Sequence, residues 1–239
     1  MACDRLSRRA VVALALAAAL PARAQERTQE KSRIGVIGAG NIGGTLAALW
    51  VKAGHPVMIA SRHPEELAGL VGRLGPLARA GTVTEALRFG EVAFLAVPYR
   101  AYPELGREHA AALAGKVVLD AGNATRARDG DLAAEAESNG IGATSAKYLP
   151  GARLVRAFNA ANVRLFERNA HRDGPAMAVP IAGDDAGALA VAEGLVRDAG
   201  FEPVVVGGLD RARLFQMGSP GFGHDATAAE ARRTFGLTP

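Results

Sequence analysis

Three glycines at the spacing Gly38-Ala39-Gly40-Asn41-Ile42-Gly43 are the residues of this chain best placed to do chemistry on a ligand. Glycine at the first position permits a tight turn, and at the second it lets backbone approach a charged group. At the third it allows a helix to pack closely on a strand. A helix opening at Asn41 would turn its unpaired N–H groups and partial positive charge toward that group, so the chemistry is the binding of a pyrophosphate. The pattern gains its weight from context. An apolar run, Arg33 to Ile37, precedes it directly, and Leu46, Leu49 and Trp50 follow at helical spacing until Gly54 ends the stretch.

The end of the next apolar run decides which dinucleotide would fit. An Asp or Glu there bonds a ribose 2′-hydroxyl, whereas this chain reads Ala60-Ser61-Arg62-His63. A hydroxyl and a guanidinium suit a 2′-phosphate, and NADP(H) is the expected cofactor. The competing reading makes Ser61 or His63 a cap before Pro64 and leaves Arg62 a solvated charge. Ligands of open α/β sheets lie beyond the carboxyl ends of strands, which adds Ala96, Val97 and Pro98 and then Asn123 to the candidate cofactor-binding residues Gly38, Ala39, Gly40, Asn41, Ile42, Gly43, Ser61 and Arg62. Tyr99 either approaches the nicotinamide or packs on the sheet. Asn123 either donates to a ribose or carboxamide or closes a turn.

The elements that must position these residues alternate in type. Strands are expected at Arg33 to Ile37, Pro56 to Ala60, Ala80 to Val83, Glu91 to Val97, Lys116 to Asp120, Leu154 to Phe158, Ala176 to Ile181 and Pro203 to Val206, with Ala- and Leu-rich helices between them. A helix over Asn41 to Ala53, another opened by Pro64, and an apolar stripe of Val191, Leu195 and Val196 before Gly200 complete the pattern. The fold class is α/β: a Rossmann-like, doubly wound, mostly parallel sheet with a short C-terminal αβ extension. Residues 121 to 148 read as a surface excursion with one helical portion, Asp131 to Ser138.

Outside that domain, expected over residues 33–210, the chain is of a different character. Arg5, Arg8 and Arg9 precede an apolar run from Ala10 to Leu20, followed by Pro21 and Ala22-Arg23-Ala24. The run is about 16 Å of helix against a bilayer core of about 30 Å, so residues 1–24 read as a signal peptide rather than an anchor. The adjacent Arg8 and Arg9 before a weakly apolar run favour twin-arginine export, with the Sec route and a buried N-terminal helix as alternatives. Cleavage near Ala24 predicts a periplasmic or secreted protein without membrane anchoring. A polar, mobile linker is expected over residues 25–32, and residues 211–239 read as a C-terminal tail or a loop over the site.

Composition narrows the classes further. The 239 residues carry 28 Lys and Arg against 24 Asp and Glu, a formal charge of +4 that is scattered rather than clustered. Aromatics are only 5%, with no basic and aromatic interleaving, which argues against nucleic-acid binding. The single cysteine, Cys3, falls inside the expected leader, so a disulfide or a catalytic thiolate is not expected in the mature protein. The five histidines, His55, His63, His109, His171 and His224, show no ligand spacing, and no metal site is expected.

The chain resembles the NADPH-dependent deazaflavin reductases, NADP oxidoreductases that use 8-hydroxy-5-deazaflavin (factor 420), relatives of the ferric reductase domains of membrane metalloreductases. The resemblance rests on Ile34 to Gly54, Ser61-Arg62, Ala96-Val97-Pro98 and, most specifically, Tyr148-Leu149-Pro150-Gly151-Ala152-Arg153-Leu154-Val155-Arg156-Ala157-Phe158-Asn159. It covers about residues 33 to 210 in order. It implies that Ala157, Phe158 and Asn159 line a hydride-transfer site, joined by Gly208 and Leu209, with a deazaflavin or flavin as co-substrate. Read from the residues alone, Leu154 to Phe158 is equally a buried strand and Asn159 a strand-end turn. Such a transfer needs no nucleophile or metal, only positioning, and the partner is a small-molecule redox acceptor. A homodimer is compatible with the sequence. Hydroxyacid and pyrroline-carboxylate reductases share only the N-terminal half and need a long helical second domain, for which too little chain follows Asn159. The alternative of another class is an exported, non-catalytic NADP(H)-binding protein.

Overall fold

The computed structural model describes residues 30–238. The expected leader, 1–24, and linker residues 25–29 lie outside the described residues. Eight strands form one sheet: β1 (Ile34–Ile37), β2 (Val57–Ala60), β3 (Ala78–Gly81), β4 (Val92–Leu95), β5 (Val117–Asp120), β6 (Arg153–Arg156), β7 (Ala178–Gly183) and β8 (Glu202–Gly207). Their order is β3-β2-β1-β4-β5-β6-β7-β8. All pairs are parallel except β6 with β7, where Val155 faces Gly183 and Arg156 faces Ala182 in antiparallel register. The chain therefore builds outward from β1 in one direction and then, from β4, in the other. That reversal opens a crevice between the carboxyl ends of β1 and β4.

Helices cover both faces. α1 (Asn41–Lys52) and α2 (Ala68–Leu74) share one face with α9 (Val163–Asn169) and α10 (Ala186–Asp198). The opposite face carries α3 (Val83–Phe89), α4 (Tyr102–Glu108), α5 (Ala110–Leu113), α7 (Asp131–Asn139), α8 (Ile141–Tyr148) and α11 (Ala228–Thr234), with the short α6 (Arg126–Asp129) leading into α7. The strands read as near-continuous apolar runs because they are buried on both faces: β1, β4 and β5 have no exposed position. Leu46 and Trp50 of α1 are fully buried, and the Trp50 indole donates to the Leu195 carbonyl of α10 at 2.9 Å. One helix is thereby tied to the sheet and to the last third of the chain.

Several expected boundaries move for identifiable reasons. β3 ends at Gly81 rather than Val83, since Thr82 and Glu85 form a reciprocal capping box that starts α3 at Val83. β6 ends at Arg156, before Phe158, whose φ of 60° lies in the left-handed region that a strand cannot contain. Residues 121–148 are no loose excursion. They hold three helices, and Ile141, Thr144 and Ser145 of α8 are buried. The linker is anchored at its end: Lys31 pairs with Asp198 at 2.8 Å, and the His55 ring lies 2.8 Å from the Ser32 carbonyl.

The C-terminal stretch is also part of the core rather than a tail. Phe215 is fully buried and meets the ring of Phe235 edge to face at 6.1 Å, and α11 packs on β7 and β8. Among the described residues no helix is long and apolar enough to cross a membrane. Phe235→Ala is expected to lower unfolding free energy by about 3 kcal/mol in a denaturant titration. An unchanged midpoint would mean that the last helix lies outside the cooperative unit.

Candidate functional site

The glycine loop is shaped by two contacts that admit no side chain. Gly38 has a φ of +111°, and a Cβ there would stand 2.4 Å from the Ala96 carbonyl oxygen, so β1 leaves the sheet pressed against the end of β4. A Cβ on Gly43 would stand 1.9 Å from the Gly38 carbonyl oxygen, so α1 rests directly on the loop that feeds it. Gly40 differs, because nothing lies within 4 Å of its Cβ position. The fold does not require a glycine there; its missing side chain leaves open space in front of α1.

That space faces a helix terminus with its donors unclaimed. No side chain caps α1, and no acidic residue stands in its first turn. The first-turn N–H groups have no intrahelical acceptor, and the helix adds a partial positive charge. An uncapped helix beneath an empty glycine cradle fits a pyrophosphate, so the residues present suit a dinucleotide.

Two clefts flank the loop. The first, about 390 Å³, lies between the ends of β1, β2 and β4, with Ser61, Arg62, Val83, Val97, Pro98 and Arg100 on its wall. Arg62 is exposed and, among the described residues, has neither a hydrogen bond nor an ion pair. Ser61 Oγ accepts the His63 N–H at 3.2 Å and so also turns the chain. Pro64 then starts a 3-10 turn, Pro64–Leu67, that runs into α2. The second cleft, about 420 Å³, lies on the other side of the loop and is lined by Gly40, Asn41 and Ile42, the ends of β4 and β5, Phe158-Asn159, Met217 and Phe222. Val97 and Pro98 belong to both walls, so the clefts meet at the reversal of strand order.

Most of the residues expected at the site come together there, though several are engaged with the protein. Ala39 and Ala96 each line a cleft. Asn123 Nδ2 donates to the Asn159 carbonyl at 2.7 Å, and its Oδ1 accepts the Met217 N–H at 3.3 Å. Asn159 is buried; its Nδ2 donates to the Phe215 carbonyl at 3.2 Å and faces Asn123 Oδ1 at 3.5 Å. The two asparagines therefore tie three strand-end segments into one wall. Phe158 reaches the cleft, but its ring belongs to an aromatic cluster with Trp50 at 5.8 Å, Phe94 at 5.9 Å and Phe166 at 5.7 Å.

Four expected residues stand elsewhere. Ala157 is fully buried, with its N–H bonded to the Asp120 carbonyl at 3.1 Å. Gly208 and Leu209 line neither cleft: the Leu209 N–H donates to Asp184 Oδ1 at 2.9 Å, and its carbonyl abuts Gly142 of α8. Tyr99 takes the packing role, stacked on Tyr102 at 4.5 Å with its hydroxyl 2.9 Å from Ser145 Oγ.

The site also holds groups that the sequence reading missed. Asp120 at the end of β5 and Arg156 at the end of β6 form a fully buried ion pair at 2.5 Å. Burial opposes the charge of Arg156 most strongly, but the charge and hydrogen bond of Asp120, together with the hydroxyls of Tyr102 and Tyr99, hold the guanidinium above its ordinary pKa. Burial first, and the Asp120 charge second, push the hydroxyls of Tyr99 and Tyr102 above the usual tyrosine range. Both tyrosines are donors here. A charge at the end of each apolar run, Val117-Val118-Leu119-Asp120 and Leu154-Val155-Arg156, was the available signal, since such residues are rarely buried unless paired.

Comparisons with known proteins agree with this geometry. Residues 33–124 match the family model described as NADP oxidoreductase, coenzyme F420-dependent. The metalloreductase STEAP3 of Rattus norvegicus is 32% identical over 192 residues, 79% of this chain and 36% of the rat protein. The chain thus spans about a third of that relative's length. A crystal structure of a hypothetical protein from Sinorhizobium meliloti superposes with a TM-score of 0.69 at 26% identity, over 82% of this chain and 95% of that one. A second, from an Arthrobacter sp. protein proposed to be an F420-dependent NADP reductase, gives 0.63 at 20% identity over 82% and 99% of the two chains, and shows the shared fold. Residues 33–124 thus match a coenzyme F420-dependent NADP oxidoreductase domain, and the chain has a Rossmann-type dinucleotide-binding fold.

Proposed function

We propose that this chain is an NADP(H)-dependent oxidoreductase in which a hydride passes between the nicotinamide and a deazaflavin- or flavin-like small-molecule acceptor. The observation that carries the reading is the uncapped start of α1 beneath the open position at Gly40, set between two clefts, one of them carrying Arg62, which has no partner among the described residues. In this reading the N–H groups of the glycine loop bind the pyrophosphate, and Ser61 with Arg62 bind the 2′-phosphate. Val97 and Pro98 divide the adenosine half from the nicotinamide half. Gly122, Asn123 and Asn159, with Met217 and Phe222, shape the second cleft and limit the space open to water. When bound, NADPH supplies a hydride; the protein's own contribution is orientation.

The leader belongs to the same proposal. Twin-arginine export moves folded protein, so NADP would travel already bound, and the chain would act in the periplasm or outside the cell after cleavage near Ala24. The rat relative is a metalloreductase by name, which makes a ferric chelate a reasonable further acceptor to test.

Two measurements check the reading. Arg62→Ala is expected to weaken NADPH binding about tenfold in calorimetric titrations and to leave NADH within about twofold, because only NADPH carries the phosphate that the guanidinium meets. Equal loss for both would remove Arg62 from the site. For turnover, NADPH oxidation by the chain from Gln25 is followed by absorbance with deazaflavin, FMN and ferric chelates in parallel. Turnover with a ring acceptor is expected. Tight NADPH binding with no oxidation by any of them would instead favour a non-catalytic cofactor-binding protein.

A further inference from the structure

Beneath the second cleft, the buried groups converge on one residue, Gly122. Its N–H donates to Asp120 Oδ1 at 2.8 Å, and its carbonyl accepts from an Arg156 terminal nitrogen at 2.5 Å. Both polar atoms of this peptide segment are therefore held by the two members of the Asp120–Arg156 pair. Tyr102 completes the set, donating its hydroxyl to the same Asp120 Oδ1 at 2.5 Å. A Cβ on Gly122 would stand 2.2 Å from that hydroxyl, so the segment passes too close to Tyr102 for any other residue. Asn123, the next residue, holds the Asn159 carbonyl and the Met217 N–H.

We propose that Asp120, Arg156 and Tyr102 are positioning residues that fix the Gly122-Asn123 wall of the second cleft, and through it the nicotinamide half of the bound dinucleotide. None of the three lines that cleft, so each acts through Gly122. The geometry supports this because the pair is arranged around the wall rather than for stability alone. A buried ion pair is a weak stabiliser compared with an apolar replacement, so stability alone does not account for this one. Here the bonded group is the backbone of a cleft residue. The adenosine-side cleft, with Ser61 and Arg62, shares no residue with this network.

The proposal rests on the NADP(H) reading, and the test separates the two. NADPH occupies both clefts in that reading, whereas 2′,5′-ADP lacks the nicotinamide half and reports only the adenosine side. Asp120→Asn strands the Arg156 charge and is the variant most at risk of misfolding, so Tyr102→Phe and Arg156→Lys are compared with the wild type. The first removes one hydroxyl; the second keeps the charge but lacks the second arm that reaches Gly122. Both are expected to weaken NADPH about tenfold with 2′,5′-ADP unchanged. Amide hydrogen exchange at Gly122 is expected to speed up by a similar factor in the variants, with or without ligand. Equal weakening of both ligands, or unchanged NADPH affinity and Gly122 exchange in both variants, would overturn the positioning role. Failure of either ligand to bind the wild type would overturn the cofactor reading instead, while the exchange measurement would still decide whether Gly122 is held by this network.

Discussion

The carbonyl of Gly38 and the Cα of Gly43 stand so close that no side chain fits between them, and the rest of the site is arranged around that contact. It seats the first turn of α1 on the loop leaving β1. Farther along the helix, Trp50 reaches the Leu195 carbonyl of α10, so the helix is held at both ends and cannot shift along the sheet without losing one contact. With α1 fixed, its N–H groups point into the crevice that the strand order opens between β1 and β4. A side chain larger than hydrogen at Gly43 would lift the helix off the loop and draw its positive end away from the anion.

The opposite wall depends on a second kind of constraint. β7 turns antiparallel to β6 and pairs with it only at Val155 and Arg156. Past that point, the chain leaving β6 keeps one backbone bond to β5, from the Ala157 N–H to the Asp120 carbonyl, and then enters the left-handed turn at Phe158. The Phe158 ring stays in the core while Asn159 reaches toward Asn123 and the Phe215 carbonyl. The residues after β8 return across this gap, so Met217 and Phe222 join a cleft whose other residues lie in the segments that follow β1, β4, β5 and β6. The buried charges of Asp120 and Arg156 lie where these segments meet.

What was legible in the sequence was local. The strand, glycine loop and helix of residues 34–52 are specified by nearest neighbours in the chain: three glycines, an apolar run before them and an apolar stripe after. The eight strands and the mostly parallel sheet followed from alternating patterns of the same short range. What escaped depended on distant partners. Tyr99 could be placed only by knowing that Tyr102 stacks on it and that α8 brings Ser145 to its hydroxyl. α8 itself, rich in Gly, Ala, Thr and Ser, looks like loop until Gly142 is seen against the Leu209 carbonyl. That same contact explains why Leu209 is a packing residue and lines neither cleft. The C-terminal stretch has few apolar residues, yet Phe215 and Phe235 suffice to dock it because they meet each other across the sheet face.

The most direct test is a crystal structure of the chain with NADPH bound. The expected result is the pyrophosphate against the backbone of Gly38 to Asn41, the 2′-phosphate beside Arg62 and the nicotinamide in the cleft lined by Asn123, Asn159 and Met217. A dinucleotide lying elsewhere, or one turned so that its adenosine half occupies the cleft of Asn123 and Asn159, would contradict it.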